Sequence, residues 1–260
     1  AQGVLDAQND GVETIKSEYS TSTLSLLDQK QNAKEKVHQA GVEVKGEITS
    51  DQTLSNDEKF DQKNKVDQSV KLAKDSIEEA KDAQRVIDAQ TTGINHVRSD
   101  YQSGSAIVEQ KKLAKAKIVQ VAKDIKTRIT ADVTLVDLEK TAQRARVDSS
   151  VVDAKDEIDG TNTAQGIIDA VSAAILTISN EYQPSSDNLD KQRNLAEEKI
   201  SDKVGNISDL IDKDLTLNDR AKSLQFAAIT LAENEVVRNI SKATNAQSIK
   251  TSFEKGAVLV

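Results

Sequence analysis

Ala83-Gln84-Arg85-Val86-Ile87-Asp88-Ala89 returns as Ala164-Gln165-Gly166-Ile167-Ile168-Asp169-Ala170, and the chain opens on Ala1-Gln2-Gly3-Val4-Leu5-Asp6-Ala7. A fourth start, Ala246-Gln247, keeps Ile249 at the Val/Ile position. Tyr19, Tyr101 and Tyr182 stand at one and the same offset from their Ala, so every tyrosine of the protein shares a single repeat position. Tandem units of about 80 residues make a quasi-linear array in which each unit mainly touches its neighbours. Such an array spans distance or presents one surface many times, and it argues against a single catalytic pocket.

Beyond this opening, the apolar residues run at helical spacing. Leu26, Ala33, Val37, Gly41, Val44 and Ile48 recur at steps of three, four or seven. The same face returns as Ile107, Ala114, Ile118, Ala122, Ile125 and Ile129, then as Leu189, Ala196, Ile200, Val204, Ile207 and Ile211. This predicts helix A over 26–49, 107–130 and 189–212. Thr53-Leu54, Thr134-Leu135 and Thr216-Leu217 mark the turn that follows. Ser55 and Glu58 form a capping box for helix B, and Asn218 caps the third copy. Val136 holds that position in the second, where Thr134 or Asp137 must serve. Helix B carries Val66, Val70, Ala73 and Ile77, matched by Val147, Val151, Ala154 and Ile158. The third copy keeps Ile229, Val236 and Ile240 but places Glu233 where a valine is expected.

Helix C begins at the repeated Ala-Gln, behind Asp82, Thr163 and Asn245 as N-caps. Its face is Val86, Ile94, Val97 and Tyr101, repeated as Ile167, Ile175, Ile178 and Tyr182. Gly11, Gly93, Ala174 and Gly256 share one position on it, where a small residue lets a neighbouring helix approach closely. Thr21-Ser22-Thr23, Ser103-Gly104-Ser105 and Pro184-Ser185-Ser186-Asp187 are the joints, and the only proline sits in one of them.

The expected fold is all-α, tandem three-helix bundles stacked end to end into an elongated rod. With three antiparallel helices the chain enters a bundle at one end and leaves at the other. A helix of about 24 residues is about 36 Å long, so three bundles would reach about 110 Å. The expected division is 1–20, a C-terminal helix of a preceding repeat; 21–102; 103–183; and 184–260, with its last helix cut short. The first segment either stays unpaired or packs on the first bundle.

Composition narrows the function. The 260 residues are 37% hydrophobic but only 2% aromatic, so Ala, Val, Ile and Leu must build the cores. With 43 acidic against 35 basic residues the net charge is −8, which disfavours nucleic acid. Lys111, Lys112, Lys115 and Lys117 form a basic patch expected in the second repeat only, read as a solvated helix face. Surface-membrane helices prefer basic polar faces with Trp or Phe opposite, a poor match for an acidic chain with no Trp. There is no apolar run long enough to insert in a membrane. Cysteine and methionine are both absent, which removes disulfides, thiolate metal sites and oxidisable sulfur, and suits an extracellular setting. The missing start Met reads as a segment of a longer, processed chain, with any export signal or anchor outside it.

No constellation for catalysis stands out. His38 and His96 do not repeat and have no partner histidine at metal-ligand spacing, so both read as surface residues. Asp51, Asp57 and Asp61 lack the Gly and terminal Glu of a calcium loop. The expectation is a non-enzyme with no cofactor and no metal site. Tyr19, Tyr101 and Tyr182 are the candidate inter-repeat or partner contacts. The simpler role for each is a plug at the bundle end, ring buried and hydroxyl reaching water.

The turn Asp212-Lys213-Asp214-Leu215-Thr216-Leu217-Asn218-Asp219-Arg220-Ala221-Lys222 is similar to the "LT-x-x-E-K" joint of three-helix repeats in giant Gram-positive surface proteins. Residues 53–59 and the Ala-Gln-x-[Val/Ile]-x-Asp-Ala opening are similar in the same way. The chain thus resembles Ebh-type and SasC-type repeats of wall-anchored fibrillar adhesins. That resemblance implies an extracellular protein tied to the cell wall, with repeats acting as a stalk in adhesion, aggregation and biofilm. Some related three-helix modules bind albumin or immunoglobulin, so host extracellular-matrix or serum proteins are candidate partners beside the neighbouring repeats.

Overall fold

The computed structural model describes residues 2–17 and 24–259, and those residues form ten helices and no strand. In order these are α1 (Gln2–Ser17), α2 (Leu26–Ser50), α3 (Asn56–Glu79), α4 (Ala83–Ser99), α5 (Ile107–Ala131), α6 (Asp137–Gly160), α7 (Ala164–Asn180), α8 (Leu189–Lys213), α9 (Asp219–Ser241) and α10 (Ala246–Leu259). The fold is all-α. Helix A is α2, α5 and α8, each ending one residue later than its apolar spacing predicts. Tyr19 and the Thr21-Ser22-Thr23 joint lie outside the described residues.

The chain separates into two compact units, residues 1–107 with 163–165, and residues 108–162 with 166–260. In the first unit α2, α3 and α4 pack against one another. One core cluster joins Ala33, Val37, Ala73, Ile77, Ala80 and Val86. The other joins Ala40, Val44, Ile48, Leu54, Val66 and Val97, with Tyr101 against it. On α1, which carries the same Ala-Gln opening as α4 and α7, Leu5, Val12 and Ile15 are exposed.

In the second unit Ile118 and Ile129 of α5, Val147 and Ile158 of α6, and Ile178 of α7 are fully buried. α8, α9 and α10 pack mutually around Ala196, Ile200, Val236, Ile240 and Ile249. The upper part of this last core is looser: Val204 and Ile207 are only half-buried, whereas Val44 and Ile125 are buried. Glu233 is half-buried, as are Val70 and Val151, so the position lies on the core's margin and its carboxylate reaches solvent.

Caps appear where the sequence places them. Ser55 and Glu58 form the reciprocal capping box, Asn218 accepts the Ala221 N–H at 2.9 Å, and Asp82 accepts that of Arg85 at 2.9 Å. The shared small position also acts as expected. A Cβ on Gly93 would overlap the Ala73 methyl, and one on Gly256 would overlap Val236, whereas Gly11 on α1 has nothing within 4 Å.

The basic patch needs correction. Lys111 donates to the Asp159 carbonyl at 2.8 Å and Lys115 pairs with the Asp159 carboxylate. In the first copy Lys30 donates to the Glu78 carbonyl at 2.6 Å and Lys34 pairs with its carboxylate. Two of the four lysines are therefore repeated caps for the C-terminal end of helix B, where a cation meets the unpaired carbonyls. Arg193 takes over the first of these roles in the third copy, on the Ala243 carbonyl. His38 and His96 are exposed.

Gly93→Val should lower stability by about 1–3 kcal/mol, because the added methyls force α4 away from α3. Gly11→Val, made at the same repeat position without a neighbour, should leave it nearly unchanged. Urea unfolding of both variants checks this; equal losses would remove the close-approach argument.

Candidate functional site

Each helix A ends on an aspartate two residues before the turn threonine. Asp51 Oδ1 accepts the Thr53 N–H at 2.7 Å and the Thr53 hydroxyl at 2.6 Å. Asp132 does the same for Thr134, at 2.7 and 2.6 Å, and Asp214 for Thr216, at 2.7 and 2.6 Å. An Asp carboxylate bonded two residues onward holds the chain in a tight turn. Its second oxygen is left for another element. The Tyr101 hydroxyl donates to Asp51 Oδ2 at 3.0 Å, and the Tyr182 hydroxyl donates to Asp132 Oδ2 at 2.9 Å. Instead of reaching water, the tyrosine ties the end of helix C to the end of helix A within one copy. The tyrosine position of the third copy falls after Val260.

Other repeated residues complete the clasp. Lys59 donates back to the Thr49 carbonyl at 3.0 Å and Lys140 to that of Thr130 at 3.1 Å. Lys222 does so to Asp212. Leu54 and Leu135 are buried beneath the turn. Gln62 donates to the Gln102 carbonyl at 2.8 Å and accepts the Gln102 N–H at 3.0 Å. Gln143 holds Gln183 in the same two-way manner, at 2.7 and 3.2 Å. In the first copy Gly104 closes the clasp, its N–H donating to the Thr53 hydroxyl at 2.9 Å. A Cβ there would overlap the Thr53 carbonyl oxygen.

Burial raises the Asp51 carboxyl, but bonds from the Thr53 hydroxyl, the Thr53 N–H and the Tyr101 hydroxyl, with Lys59 nearby, hold it below its ordinary value. Asp132 is lowered against burial by Thr134, Tyr182 and Lys140 in the same way. The bonds from Thr216 lower Asp214. The tyrosines shift the other way. The bond to Asp51, then burial and the charges of Asp51 and Glu47, raise Tyr101. Tyr182 is raised by its bond to Asp132, by burial and by the Asp132 charge. Arg128, stacked 4.7 Å from the ring centroid, acts against that rise.

The Ala-Gln opening does more than begin a helix. Within the first unit the Ala164 N–H donates to the Gln52 carbonyl at 2.8 Å, and Gln165 Oε1 accepts the Asn56 N–H at 3.0 Å. Within the second unit Ala246 donates to the Val133 carbonyl at 2.8 Å, and Gln247 Oε1 accepts the Asp137 N–H at 3.0 Å. The first N–H groups of a helix have no partner inside it. Here the opening of a later helix C supplies one for α3 and again for α6. Ala164 and Ala246 are each 2% exposed, whereas Ala83 is exposed.

This corrects the expected cap of α6. Neither Thr134 nor Asp137 serves: no side-chain cap bond forms at the N-cap of α6, and the Asp137 N–H is met instead by Gln247 Oε1. The Val136 N–H donates to Glu139 Oε2 at 2.9 Å, which is half of a capping box. The aspartates and the Gln62 position went unread in the sequence, although Asp51, Asp132 and Asp214, like Gln62, Gln143 and Gln225, recur at the repeat spacing.

These contacts join helix ends and hold turns; they define a helical-bundle repeat module. Residues 29–101, from α2 to the clasp tyrosine, match the family model of a domain of unknown function, DUF1542. This domain is found in Gram-positive surface proteins such as those with Ebh-type repeats, and it is a repeat domain, not a known enzyme family. No curated protein and no solved structure matched the chain. Among the described residues no cluster of three or more His, Cys, Asp or Glu could hold a metal ion, and no helix is long and apolar enough to cross a membrane.

Because the folded aspartates titrate below their unfolded value, their contribution is complete above the unfolded pKa of about 4 and fades as pH falls through the folded one. Asp132→Asn keeps one acceptor oxygen for Thr134 and offers an N–H in place of the oxygen that accepts from Tyr182, and it cannot titrate. It should therefore flatten the acid limb of stability measured by urea unfolding between neutral pH and pH 2; an unchanged slope would assign acid lability elsewhere. At the joint, Gln165→Ala should speed hydrogen exchange of the Asn56 amide and leave that of Asp137 unaltered.

Proposed function

We infer that the chain is part of the stalk of a bacterial surface protein, a non-enzymatic spacer that holds a distal adhesive region away from the cell wall. The observation that carries this reading is the joint: residues repeated in every copy are those that close cores, turns and contacts to the next copy. In this reading 21–102, 103–183 and 184–260 are successive three-helix repeats stacked end to end, and 1–20 is the last helix of a repeat before them. The exposed faces differ between copies, as expected when only cores and joints are held. The match of residues 29–101 to a surface-protein repeat family supports a place on the surface of a Gram-positive cell.

A second reading has one observation in its favour. Leu5, Ile87 and Ile168 share a repeat position and are 52%, 53% and 46% exposed, an aliphatic contact offered at three of its four occurrences, the last carrying Lys250. Repeats that dock a host matrix or serum protein through a helix face would use such a residue. The clasp tyrosines fit this reading less well, since Tyr101 and Tyr182 spend their hydroxyls on their own turns.

Small-angle scattering should give a maximum dimension near 110 Å, the sum of three helix lengths at about 1.5 Å per residue; a particle of about 60–70 Å would sink the end-to-end spacer. Surface plasmon resonance against fibronectin, fibrinogen, collagen, albumin and immunoglobulin separates the readings. The spacer expects no saturable binding. Micromolar or tighter binding, lost on Ile87→Ser with Ile168→Ser, would make the repeats themselves adhesive.

A further inference from the structure

The second copy carries a groove between α5 and α6, a cavity of about 760 Å³ open along its length. It runs from Val119 to Ala131, about 18 Å at the helical rise. Four cations line it, Lys123, Lys126, Arg144 and Lys155, against one acid, Asp148. Lys126 pairs with Asp148. Among the described residues the other three have no acid within ion-pair distance, so the groove holds three uncompensated positive charges on a chain whose net charge is −8. Its floor is aliphatic, from Val119, Ala122 and Val151.

We propose that this groove docks a polyol-phosphate chain, an anionic polymer of phosphodiester-linked polyol units. Lysines recognise phosphate as point charges, and a row of them along a groove suits a flexible polyanion. The lining lacks aromatic rings, so bases have nothing to stack on and single-stranded nucleic acid is a poor occupant. The hydroxyls favour a polyanion that itself carries hydroxyl donors. Thr127 Oγ1 donates to the Lys123 carbonyl at 2.9 Å and Thr130 Oγ1 to that of Lys126 at 2.8 Å. With their protons committed to the helix, both oxygens can only accept. A polyol hydroxyl donates to them, whereas a polymer bearing only acceptors cannot. The methylenes of the polyol lie on the aliphatic floor.

The first copy repeats much of the set. Lys45, Lys63 and Lys74 occupy the positions of Lys126, Arg144 and Lys155, and Lys45 pairs with Asp67 as Lys126 does with Asp148. The third copy has Ser208, Phe226 and Val237 there, and serves as an internal control. The proposal stands apart from the stalk reading, since a spacer or an adhesive repeat could carry the groove alike.

The test is an amide NMR titration of the full chain with a synthetic glycerol-phosphate oligomer of about six units at low ionic strength, where charge contacts are least screened. Shifts should gather in residues 122–130 and 144–155, with residues 204–212 and 226–237 unmoved. Arg144→Glu with Lys155→Glu should raise the half-saturation concentration at least about tenfold, and added salt should do likewise. Neither substituted side chain is buried, and an unchanged spectrum elsewhere verifies the fold. Absence of shifts, equal shifts in the third copy, or indifference to the charge reversal would overturn the proposal. Equally tight binding of a sulfated oligosaccharide of the same charge would overturn the phosphodiester assignment.

Discussion

A helix leaves polar groups unpaired at both ends, and in this chain the repeated polar residues of the turns answer to that constraint. The carboxylate of Asp51 closes one turn with one oxygen and anchors the last residue of the helix C face with the other. Lys59 covers the carbonyl end of α2, Lys30 that of α3, and Gln165 meets the amide end of α3 from outside the copy. The apolar interior supplies the larger share of folding free energy, at about 1.5–3 kcal/mol for each fully buried Val or Ile. That interior is tolerant in detail: Gly41, Ala122 and Val204 occupy one position in three copies. The polar ends are less so, and the Asp-x-Thr-Leu turn is invariant across all three.

The joint and the clasp share residues. Leu54 and Thr53 belong to the turn that Asp51 shapes, and the carbonyl that receives the Ala164 N–H is on Gln52, between Asp51 and Thr53. A turn set wrongly by one residue would misplace that carbonyl as well. The turn and the Ala-Gln opening seated on it are therefore settled by the same few atoms.

Much of this was legible in the residues. Apolar spacing fixed helix type and placed helix A to within one residue, because a helical period sustained over seven turns leaves little freedom. Ser55 with Glu58, Asn218 and Asp82 declared three helix starts through side-chain chemistry that is local. What stayed hidden was non-local. Ala164 and Gln165 read as the start of a helix, and nothing near them in sequence says that their other partner lies within 52–56. Tyr101 read as a plug with a wet hydroxyl because its acceptor, Asp51, comes two helices earlier in the chain. The lysines misled for a different reason. Lys111 and Lys115 stand beside Lys112, so a patch drew attention away from their counterparts Lys30 and Lys34.

The joint uses main-chain atoms and one glutamine: a carbonyl at Gln52 or Val133, an amide at Asn56 or Asp137, and an Ala-Gln pair facing them. None of these depends on which exposed residues a particular copy carries. Removing or duplicating one whole period would bring together a turn and an opening that already fit. Unequal crossing-over between copies would thus yield a chain of different length with every seam intact. For a lineage carrying such a protein, the number of copies becomes a trait that recombination can adjust by whole modules, without any new contact having to be invented.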